Sequence, residues 1–399
     1  MARRVVITGA GIISAIGVGK EATVRSILER RSGIGRLRHL VTAHSDLPCG
    51  EAALSDAGLK ALLGIPPEEV VARTALLGIV AVKEAIAQAG LPEDEATALV
   101  GGTTVGGMDI TENHFGGMTS GDAFNALIPL HTCGSSTDRI AGCFKGFTSV
   151  TTTSTACSSA ANSIALGANL VRSGRFDSVV AGGSECLTRY HLNGFNSLMI
   201  LDHEPCRPFD AGRAGLNLGE GAGFLVLEEE GHALNRGARI MGVLDGWGNA
   251  CDAYHQTASS PDGEGAFLAM GKALAMAGLG PGDVDYVNAH GTGTVNNDSS
   301  ESAALRRLFG EAIPPVSSTK SFTGHTTSAS GGIEAVICLL AMENGFIPAN
   351  LGWEKPDGDC IVPEHEGKEG VSLSHVLCNS FAFGGNDSSL LLSKYEGHE

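Results

Sequence analysis

One cysteine near the middle of the chain has the surroundings that a reactive thiol needs. Cys157 follows a β-branched run over residues 147–153 and precedes a stretch of small residues over 160–168. This order predicts a strand, a tight turn and a helix, with the cysteine in the turn. Unpaired backbone N–H groups and the helix dipole favour a thiolate there, so we expect the Cys157 pKa to lie below its usual value of about 8.5. The alternative is an inert core thiol, because free cysteines are often buried.

A histidine later in the chain lies in a turn that could receive a substrate. His290 is followed by Gly291 and Gly293, which let a ligand approach the backbone closely. The hydroxyls of Thr292 and Thr294 can hydrogen-bond a substrate that contains an amide. A structural, hydrogen-bonded histidine is the alternative interpretation.

A second histidine turn follows a short predicted strand. Residues 317–325 contain Lys320 and His325, and both side chains can face one pocket. In the simplest interpretation Lys320 is a surface charge. The alternative is an ion pair with Glu334, on the helix predicted to follow, which would bring Lys320 into the interior.

A third glycine-rich segment, residues 379–387, lies before the last predicted strand. It contains Phe383 followed by two glycines, and its backbone N–H groups could point at a developing oxyanion. The alternative is a sharp turn that only connects two strands. Each signal is modest alone, but together they place a nucleophile, two histidines and N–H donors in turns at strand ends, where α/β proteins collect active groups.

The rest of the chain predicts an α/β protein that positions these turns. Glycine accounts for 56 of 399 residues, about twice the usual share, and the glycines mark turns after strands. The rhythm of strand, glycine turn and helix runs through residues 1–240 and begins again in residues 241–399. We therefore expect two halves, the first carrying Cys157 and the second carrying the histidines and segment 379–387.

The N-terminal elements are predicted as a strand over residues 4–8 and a long helix over 68–89. The glycines at positions 9 and 11 are expected to form a turn after the strand. Because the third glycine of a dinucleotide loop is missing, a nucleotide site is disfavoured. Residues 108–146 lack clear periodicity, and we expect a binding loop or an oligomer contact there.

Charge and cysteine usage exclude several classes of function. The net charge of −17 argues against nucleic acid as a partner, because phosphate binding needs a basic surface. The ten cysteines show neither CxxC nor Cys/His ligand spacing, so neither a metal site nor a disulfide framework is expected. The apolar run at the N-terminus is too short for a signal peptide, and no membrane-spanning segment is predicted, which favours a cytoplasmic protein.

Taken together, these motifs resemble the β-ketoacyl-acyl carrier protein synthases of the thiolase superfamily. The resemblance rests on Cys157, the two histidine turns and the segments 206–210 and 219–223, and it covers residues 3–395. The Cys-His-His set matches the elongating synthases, since the initiating synthases use Cys-His-Asn. The resemblance implies a duplicated thiolase-type five-layer α-β-α-β-α fold, usually assembled as a dimer.

The activity implied by the resemblance is a decarboxylative Claisen condensation in fatty-acid, polyketide or aryl-polyene synthesis. Cys157 would take an acyl chain from its carrier thioester. His290 and His325 would contact malonyl-acyl carrier protein, assist its decarboxylation and stabilise the enolate. Lys320, paired with Glu334, would orient the histidine turn. The product would be a β-ketoacyl chain two carbons longer.

Further roles implied by the resemblance concern the approach of the substrate. The backbone N–H groups of Cys157 and Phe383 would form an oxyanion hole, and Phe383 would gate the acyl pocket. Thr292 and Thr294 would line the channel for phosphopantetheine, which arrives on the acyl carrier protein, so no metal or other cofactor is implied. The second subunit would be an identical chain or a related synthase subunit in a heterodimer.

Several segments depart from the family pattern. Residues 328–331 read Ser-Ala-Ser-Gly where Gly-Ala-Ala-Gly is usual, and we expect local repacking that leaves the chemistry untouched. Ala382 replaces a glycine, which is expected to stiffen the gate, and residues 386–387 read Asn-Asp instead of Thr-Asn. The polar segment 133–139 favours an unusual acyl substrate, such as a polyene or an aryl-capped chain.

The surface that would receive the acidic carrier protein also departs from the family. Elongating synthases often have a basic cluster near residues 65–74, where this chain has two glutamates and Arg73. We expect an alternative basic patch from Arg172, Arg175, Arg207 and Arg213, or a companion subunit that presents the carrier.

Two other functions stay open at this point. A thiolase acting on coenzyme A thioesters would use a second cysteine near the C-terminus, and Cys378 is a superficial candidate. Its place inside a predicted strand and the Lys-Ser-Phe-Thr-Gly-His sequence at 320–325 count against that class. A chain-length-determining partner subunit would typically lack the nucleophile, which is present here as Cys157.

Overall fold

Strands and helices alternate along the protein in a computed structural model that describes residues 3–120 and 122–397. The strands are β1 Val5–Ser14, β2 Gly17–Val18, β3 Thr97–Gly102, β4 Phe147–Thr153, β5 Ser178–Glu185, β6 Gly221–Glu229, β7 Gly242–Cys251, β8 Tyr286–Asn288, β9 Val316–Ser317, β10 Phe346–Ile347, β11 Lys368–Glu369, β12 His375–Ala382 and β13 Asn386–Ser393. The α-helices are α1 Lys20–Leu28, α2 Asp56–Leu63, α3 Arg73–Ala89, α4 Met108–Ser120, α5 Cys133–Ala141, α6 Ser159–Arg172, α7 Arg189–Ser197, α8 Glu230–Asn235, α9 Glu264–Ala277, α10 Val295–Phe309, α11 Lys320–Thr323 and α12 Ser330–Asn344.

The two halves of the main sheet share one strand order. The first half runs β4-β3-β5-β6-β1 and the second runs β9-β8-β12-β13-β7. With the short strands β2, β10 and β11 set aside, both orders are third, second, fourth, fifth and first along the chain. In each half, the first three strands of this spatial order pair in parallel with one another. The remaining neighbouring strands pair antiparallel. The halves join where β1 pairs with β7, so the topology is that of a duplicated unit.

Helices form three layers around these two halves of the sheet. Helix α3 packs outside the first half, against β1, β5 and β6. Helices α6 and α12 contact each other and lie between the halves, since α12 touches both β6 and β12. Helix α9 covers the outer side of β7 and β13. The five-layer fold class predicted from the sequence is therefore confirmed, whereas the boundary between halves at residue 240 stays a prediction.

The first strand continues through the glycines that were expected to form a turn. A Cβ atom on Gly9 would lie 2.2 Å from the carbonyl oxygen of Ala85, and one on Gly11 would lie 1.9 Å from that of Ala81. Only glycine lets α3 pack this closely on β1, so the predicted turn is wrong. Helix α3 itself begins at Arg73, five residues later than predicted, because the backbone just before it is extended.

The segment without periodicity, residues 108–146, is largely helical. It contains α4, a 3₁₀ helix over Asp122–His131 and α5. It leads into β4, which forms one edge of the sheet and has several exposed side chains. Among the described helices, none has the length and apolar character that crossing a membrane requires.

Candidate active site

Six of the eight predicted site residues line one cavity of about 240 Å³. Its lining includes Cys157, His290, Thr292, Thr294, His325 and Phe383. The cavity lies between the two halves of the sheet, at the ends of strands from both. The duplication therefore brings together residues that are more than a hundred positions apart in the sequence.

Cys157 lies in the turn between β4 and α6, as the sequence predicts. The preceding residue, Ala156, has a φ of 52°, in the left-handed region that costs a residue with a Cβ atom about 1–2 kcal/mol. Ser159 fixes the turn, because its Oγ accepts a hydrogen bond from the Thr155 N–H at 2.9 Å. The Sγ atom of Cys157 lies 3.2 Å from Nε2 of His325. The thiol thus has a base within hydrogen-bond distance.

The pKa of Cys157 is raised, to about 11. Burial is the largest cause, and Glu185 adds to it. Lys320 and the backbone N–H groups of Phe383 and Cys157 act in the opposite direction but do not compensate. The expectation of a thiolate stabilised by the helix is therefore wrong. A neutral thiol that transfers its proton to His325 fits the geometry better.

The rings of His290 and His325 meet edge to face, with centroids 5.2 Å apart and planes at 83°. Burial and the nearby Lys320 charge hold the pKa of each histidine well below its ordinary value. Both rings are therefore neutral at physiological pH, and each can present one N–H group to a substrate. The Nδ1 atom of His290 is buried without a hydrogen-bond partner among the described residues.

Lys320 is an interior residue and not a surface charge. Its Nζ lies 2.5 Å from Oε1 of Glu334, and both side chains are buried. Burial raises the pKa of Glu334 to about 7, although the Lys320 charge opposes the shift. The pair joins the start of α11 to the middle of α12 and so fixes the turn that carries His325.

Two buried carboxylates that the sequence analysis missed hold the His290 turn. Glu301 accepts hydrogen bonds from the backbone N–H groups of His290 and Gly291, at 2.9 and 2.8 Å. Asp298 accepts that of Thr292 at 3.0 Å. Both acids lie in the first two turns of α10. Acidic residues placed so soon after a glycine-rich turn could have been recognised in the sequence as acceptors for the N–H groups of that turn. The hydroxyls of Thr292 and Thr294 are 2.9 Å apart.

Phe383 closes one side of the cavity by stacking on a second phenylalanine. The rings of Phe195 and Phe383 lie 5.9 Å apart with their planes at 18°. The next residue, Gly384, has a φ of 80°, which glycine adopts without strain. The sequence analysis missed Phe195 because nothing in the local pattern of α7 sets it apart.

The comparisons with known proteins cover the whole chain. Residues 2–233 match the family described as beta-ketoacyl synthase, N-terminal domain, and residues 241–354 match its C-terminal domain. The chain belongs to the β-ketoacyl synthase family. It is an acyl-transferring condensing enzyme that acts with acyl carrier protein in fatty acid or polyketide synthesis.

Named relatives and solved structures are similar over nearly their full lengths. Nodulation protein E of Rhizobium meliloti is 36% identical, covering 98% of this chain and 99% of its own. The 3-oxoacyl-[acyl-carrier-protein] synthase 2 of Staphylococcus aureus is 35% identical, covering 99% of each. The ishigamide ketosynthase/chain length factor structure has a TM-score of 0.91 at 33% identity, covering 99% of this chain and 100% of that one. A type II polyketide synthase acyl-carrier protein in complex with its ketosynthase (AntDE:AntF) has a TM-score of 0.87 at 26% identity, with the same coverage.

The segment 328–331 of this synthase touches the catalytic machinery. The Oγ atom of Ser330 lies 3.1 Å from Nδ1 of His325. Ser328 donates instead to the buried carboxylate of Glu185. The expectation that these substitutions change packing alone is therefore wrong for Ser330.

The arginines proposed as a carrier-docking patch do not form one. Arg73, in the segment 65–74 where elongating synthases often have a basic cluster, is buried and paired with Glu220 at 2.6 Å. Arg213 is buried as well and pairs with an aspartate on the 350s loop. Arg172 ends α6 and Arg175 follows it, so both lie beyond a helix about 21 Å long, at 1.5 Å per residue, that starts beside Cys157. The predicted patch is therefore wrong.

One group of side chains within residues 3–120 and 122–397 has the donor set of a metal site. Glu95, Glu228 and His232 lie close together. However, Arg236 occupies both carboxylate oxygens of Glu228, with Nε 2.7 Å from Oε2. The bound guanidinium makes this group an ion-pair network, and it lies apart from the cavity that contains Cys157.

Replacing Asp387 with asparagine is expected to stabilise the synthase most at high pH. Burial and the neighbouring Asp252 raise the pKa of Asp387 to about 7, whereas the unfolded value is about 3.9. The folded state therefore loses stability as the pH rises from about 4 to about 7. We expect Asp387→Asn to add about 1–3 kcal/mol at pH 8, measured by thermal unfolding, and less at pH 5. Asp94→Asn, at an exposed position, is the control, and a gain as large at pH 5 as at pH 8 would contradict the argument.

Proposed function

We propose that this synthase holds a growing acyl chain on Cys157 and extends it by two carbons with malonyl-acyl carrier protein. The observation that carries the proposal is the shared cavity, in which the Cys157 thiol faces His325 while His290 lies beside both. The backbone N–H groups of Cys157 and Phe383 reach Sγ, and we propose that they donate to the carbonyl oxygen of the acyl group bound there when it becomes an oxyanion.

In the first half-reaction Cys157 attacks the thioester of the acyl carrier protein. A bond forms between Sγ and the acyl carbon, the bond from that carbon to the pantetheine sulfur breaks, and the thiol proton passes to the departing sulfur. In the second, malonyl-carrier protein loses CO₂, and the neutral N–H groups of His290 and His325 stabilise the enolate oxygen. The enolate carbon then attacks the acyl thioester, and Cys157 is released and reprotonated.

The two alternative functions are less compatible with the geometry. Cys378, the candidate base of a thiolase, is fully buried in β12 and contacts the Cys338 thiol. It therefore belongs to the core and is not among the residues lining the cavity. A subunit that only sets chain length would not need the thiol and both histidines in contact, as they are here.

The acyl substrate that we propose is a polar or unsaturated chain, such as a polyene or an aryl-capped chain. The support is α5, where Ser136 is buried and its Oγ has no hydrogen-bond partner among the described residues. Thr137, beside it, is also buried and accepts a hydrogen bond from Thr152 at 2.8 Å. Neither residue lines the cavity that contains Cys157, so the proposal takes from the family resemblance that α5 borders the acyl chain. A saturated chain would gain little from side chains this polar.

The test of the proposed function is intact-mass spectrometry of the wild-type protein with acyl carrier proteins loaded with saturated, polyene and aryl-capped chains. We expect a stable acyl adduct that disappears when malonyl-carrier protein is added, with release of CO₂ and a product longer by two carbons. Resolution of the adduct by coenzyme A alone would favour a thiolase. No adduct with any chain would overturn the proposal.

We propose that the carrier protein docks on an apolar rim formed by Met199 and Val295. Both residues line the cavity mouth, and they are 88% and 62% exposed. No charged side chain appears among the described residues that line this cavity. Arg207, one of the arginines predicted to form a basic patch, has an acidic neighbour in Asp202, at 3.8 Å. Apolar contact is the mode of docking that this surface favours.

Carrier binding is accordingly expected to depend only weakly on salt. We expect the Kd to change less than about threefold between about 0.05 and 0.5 M NaCl, because screening weakens ionic contacts and leaves apolar ones intact. Met199→Glu should weaken binding, whereas Arg175→Ala, beyond the remote end of α6, serves as the matched control. A Kd that rises steeply with salt would show that a basic surface does the docking.

The assembly and location of the synthase are also proposed. We infer a dimer, either of identical chains or with a chain-length-determining subunit, because β4 is an edge strand with no neighbour on its outer side among the described residues. The ishigamide structure, moreover, is a ketosynthase/chain length factor. We place the enzyme in the cytoplasm, where its free thiols stay reduced. The phosphopantetheine arm of the carrier supplies the substrate, and we propose no other cofactor, no metal and no nucleic acid partner.

A further inference from the structure

Two hydroxyl groups lie on the side of the His325 ring that faces away from Cys157, and they extend the chain of hydrogen-bond contacts that begins at the thiol. The Oγ atom of Ser330 lies 3.1 Å from Nδ1 of His325 and 3.2 Å from Oγ1 of Thr326. The other ring nitrogen, Nε2, lies 3.2 Å from Cys157 Sγ. All four side chains are buried, so these contacts determine which ring nitrogen carries the hydrogen.

We propose that Ser330, held by Thr326, is a positioning residue that sets the tautomer of His325 for acyl transfer; the inference rests on the proposed function. A neutral imidazole has a single N–H group. When that group is on Nδ1 and donates to Ser330 Oγ, Nε2 is left as an acceptor that faces the Cys157 thiol. The Ser330 hydroxyl then donates its own hydrogen to Thr326.

This arrangement gives the thiol proton a defined path during acyl transfer. The proton moves from Cys157 Sγ to His325 Nε2 as Sγ bonds to the acyl carbon. It then moves from Nε2 to the pantetheine sulfur as the bond between that sulfur and the acyl carbon breaks. The ring is neutral again at the end, and the carrier protein leaves as a thiol.

The same hydroxyl also suits the condensation step. Stabilising the enolate needs the hydrogen of His325 on Nε2, which leaves Nδ1 as an acceptor. Between departure of the first carrier and arrival of malonyl-carrier protein, the neutral ring can lose its Nδ1 proton to water and take one from water on Nε2. Because a hydroxyl both donates and accepts, Ser330 can then rotate and donate to Nδ1 while it accepts from Thr326. Alanine, the usual residue here in the family that the sequence resembles, provides neither contact.

The test measures single-turnover acylation of Cys157 in variants at position 330. We expect Ser330→Ala to lower the acylation rate by about 10- to 100-fold, as is typical when a buried donor loses its acceptor, with an unchanged KM for the carrier. Ser330→Thr, which keeps the hydroxyl, should restore most of the rate. Ser178→Ala is the matched control, since it removes a buried hydroxyl that hydrogen-bonds Thr97 and lies outside the cavity lining; it should lower the Tm but leave the rate unchanged.

A second readout does not depend on the substrate. Alkylation of Cys157 by iodoacetamide also requires loss of the thiol proton, so Ser330→Ala should slow it while Ser330→Thr does not. The inference is overturned if Ser330→Ala reacts as fast as the wild type, or if a folded Ser330→Thr is as slow as the alanine variant. Failure of the wild type to form any acyl adduct would instead contradict the proposed function, and the alkylation rates would still decide the role of Ser330.

Discussion

The Cys157→Ala protein is expected to fold like the wild type and to form no acyl adduct at all. Alanine fits the turn before α6, since the substitution removes one buried sulfur atom and leaves the backbone hydrogen bonds in place. The loss is total because no other thiol is among the described residues that line the cavity, and the hydroxyl groups there are weak nucleophiles compared with a thiol. Intact-mass spectrometry after incubation with acyl-carrier protein measures it, and thermal unfolding confirms the fold.

The matched control for this experiment is Cys143→Ala. Cys143 is exposed at the end of α5, and it should be dispensable for the adduct. Any acyl adduct on Cys157→Ala, whether at Cys378 or elsewhere, would show that another thiol carries the chain. Retention of the malonyl-decarboxylating activity in Cys157→Ala is compatible with the proposal, because the histidines and not the thiol stabilise the enolate.

The architecture was predictable from the sequence because its signals are local and repeated. The β-branched run at 147–153 and the small-residue helix after Cys157 appear as β4 and α6. The recurrence of strand, glycine turn and helix reflects a shared strand order in the two halves. The glycines at positions 9 and 11 misled the prediction, since a glycine required by a neighbouring helix looks the same in sequence as one required by a turn.

The electrostatic state of the site was not predictable, because it depends on how deeply the fold buries each group. Placement before a helix favours a thiolate, yet burial of Cys157 outweighs the N–H groups around it and raises its pKa to about 11. Arg73 and Arg213 look like surface cations in the sequence, but each is buried against a carboxylate. Ion pairs between residues so far apart in sequence cannot be predicted from the local sequence pattern around either residue.

The contact between Ser330 and His325 is a second feature of the site that could not be predicted from the sequence. The sequence shows that residue 330 is larger than usual for the family, which indicates repacking. Only the turn at Gly324, with its φ of 70°, and the start of α12 determine that the extra hydroxyl faces the imidazole. A change that looks conservative in size therefore adds a hydrogen bond to the catalytic base.

Replacing the two histidines one at a time should separate the two half-reactions. His325 touches the thiol through Nε2, at 3.2 Å, whereas His290 touches the His325 ring and the cavity. We expect His290→Ala to acylate Cys157 within about threefold of the wild-type rate and to lose about 10²- to 10⁴-fold in malonyl decarboxylation. His325→Ala should lose about 10²- to 10⁴-fold in acylation and should be slowed in decarboxylation as well.

The two rates are measured separately in these histidine variants, acylation by intact mass in a single turnover and decarboxylation by release of CO₂. His203→Ala, at a residue with a 70% exposed side chain, is the control and should change neither rate. Loss of acylation in His290→Ala, or wild-type acylation in His325→Ala, would show that the thiol proton leaves by another route. The expected asymmetry follows from geometry, because the same two leading causes, burial and the Lys320 charge, lower the pKa values of both rings. What distinguishes the two histidines is which of them faces Sγ, and the segment after α11 places Nε2 of His325 there, at 3.2 Å.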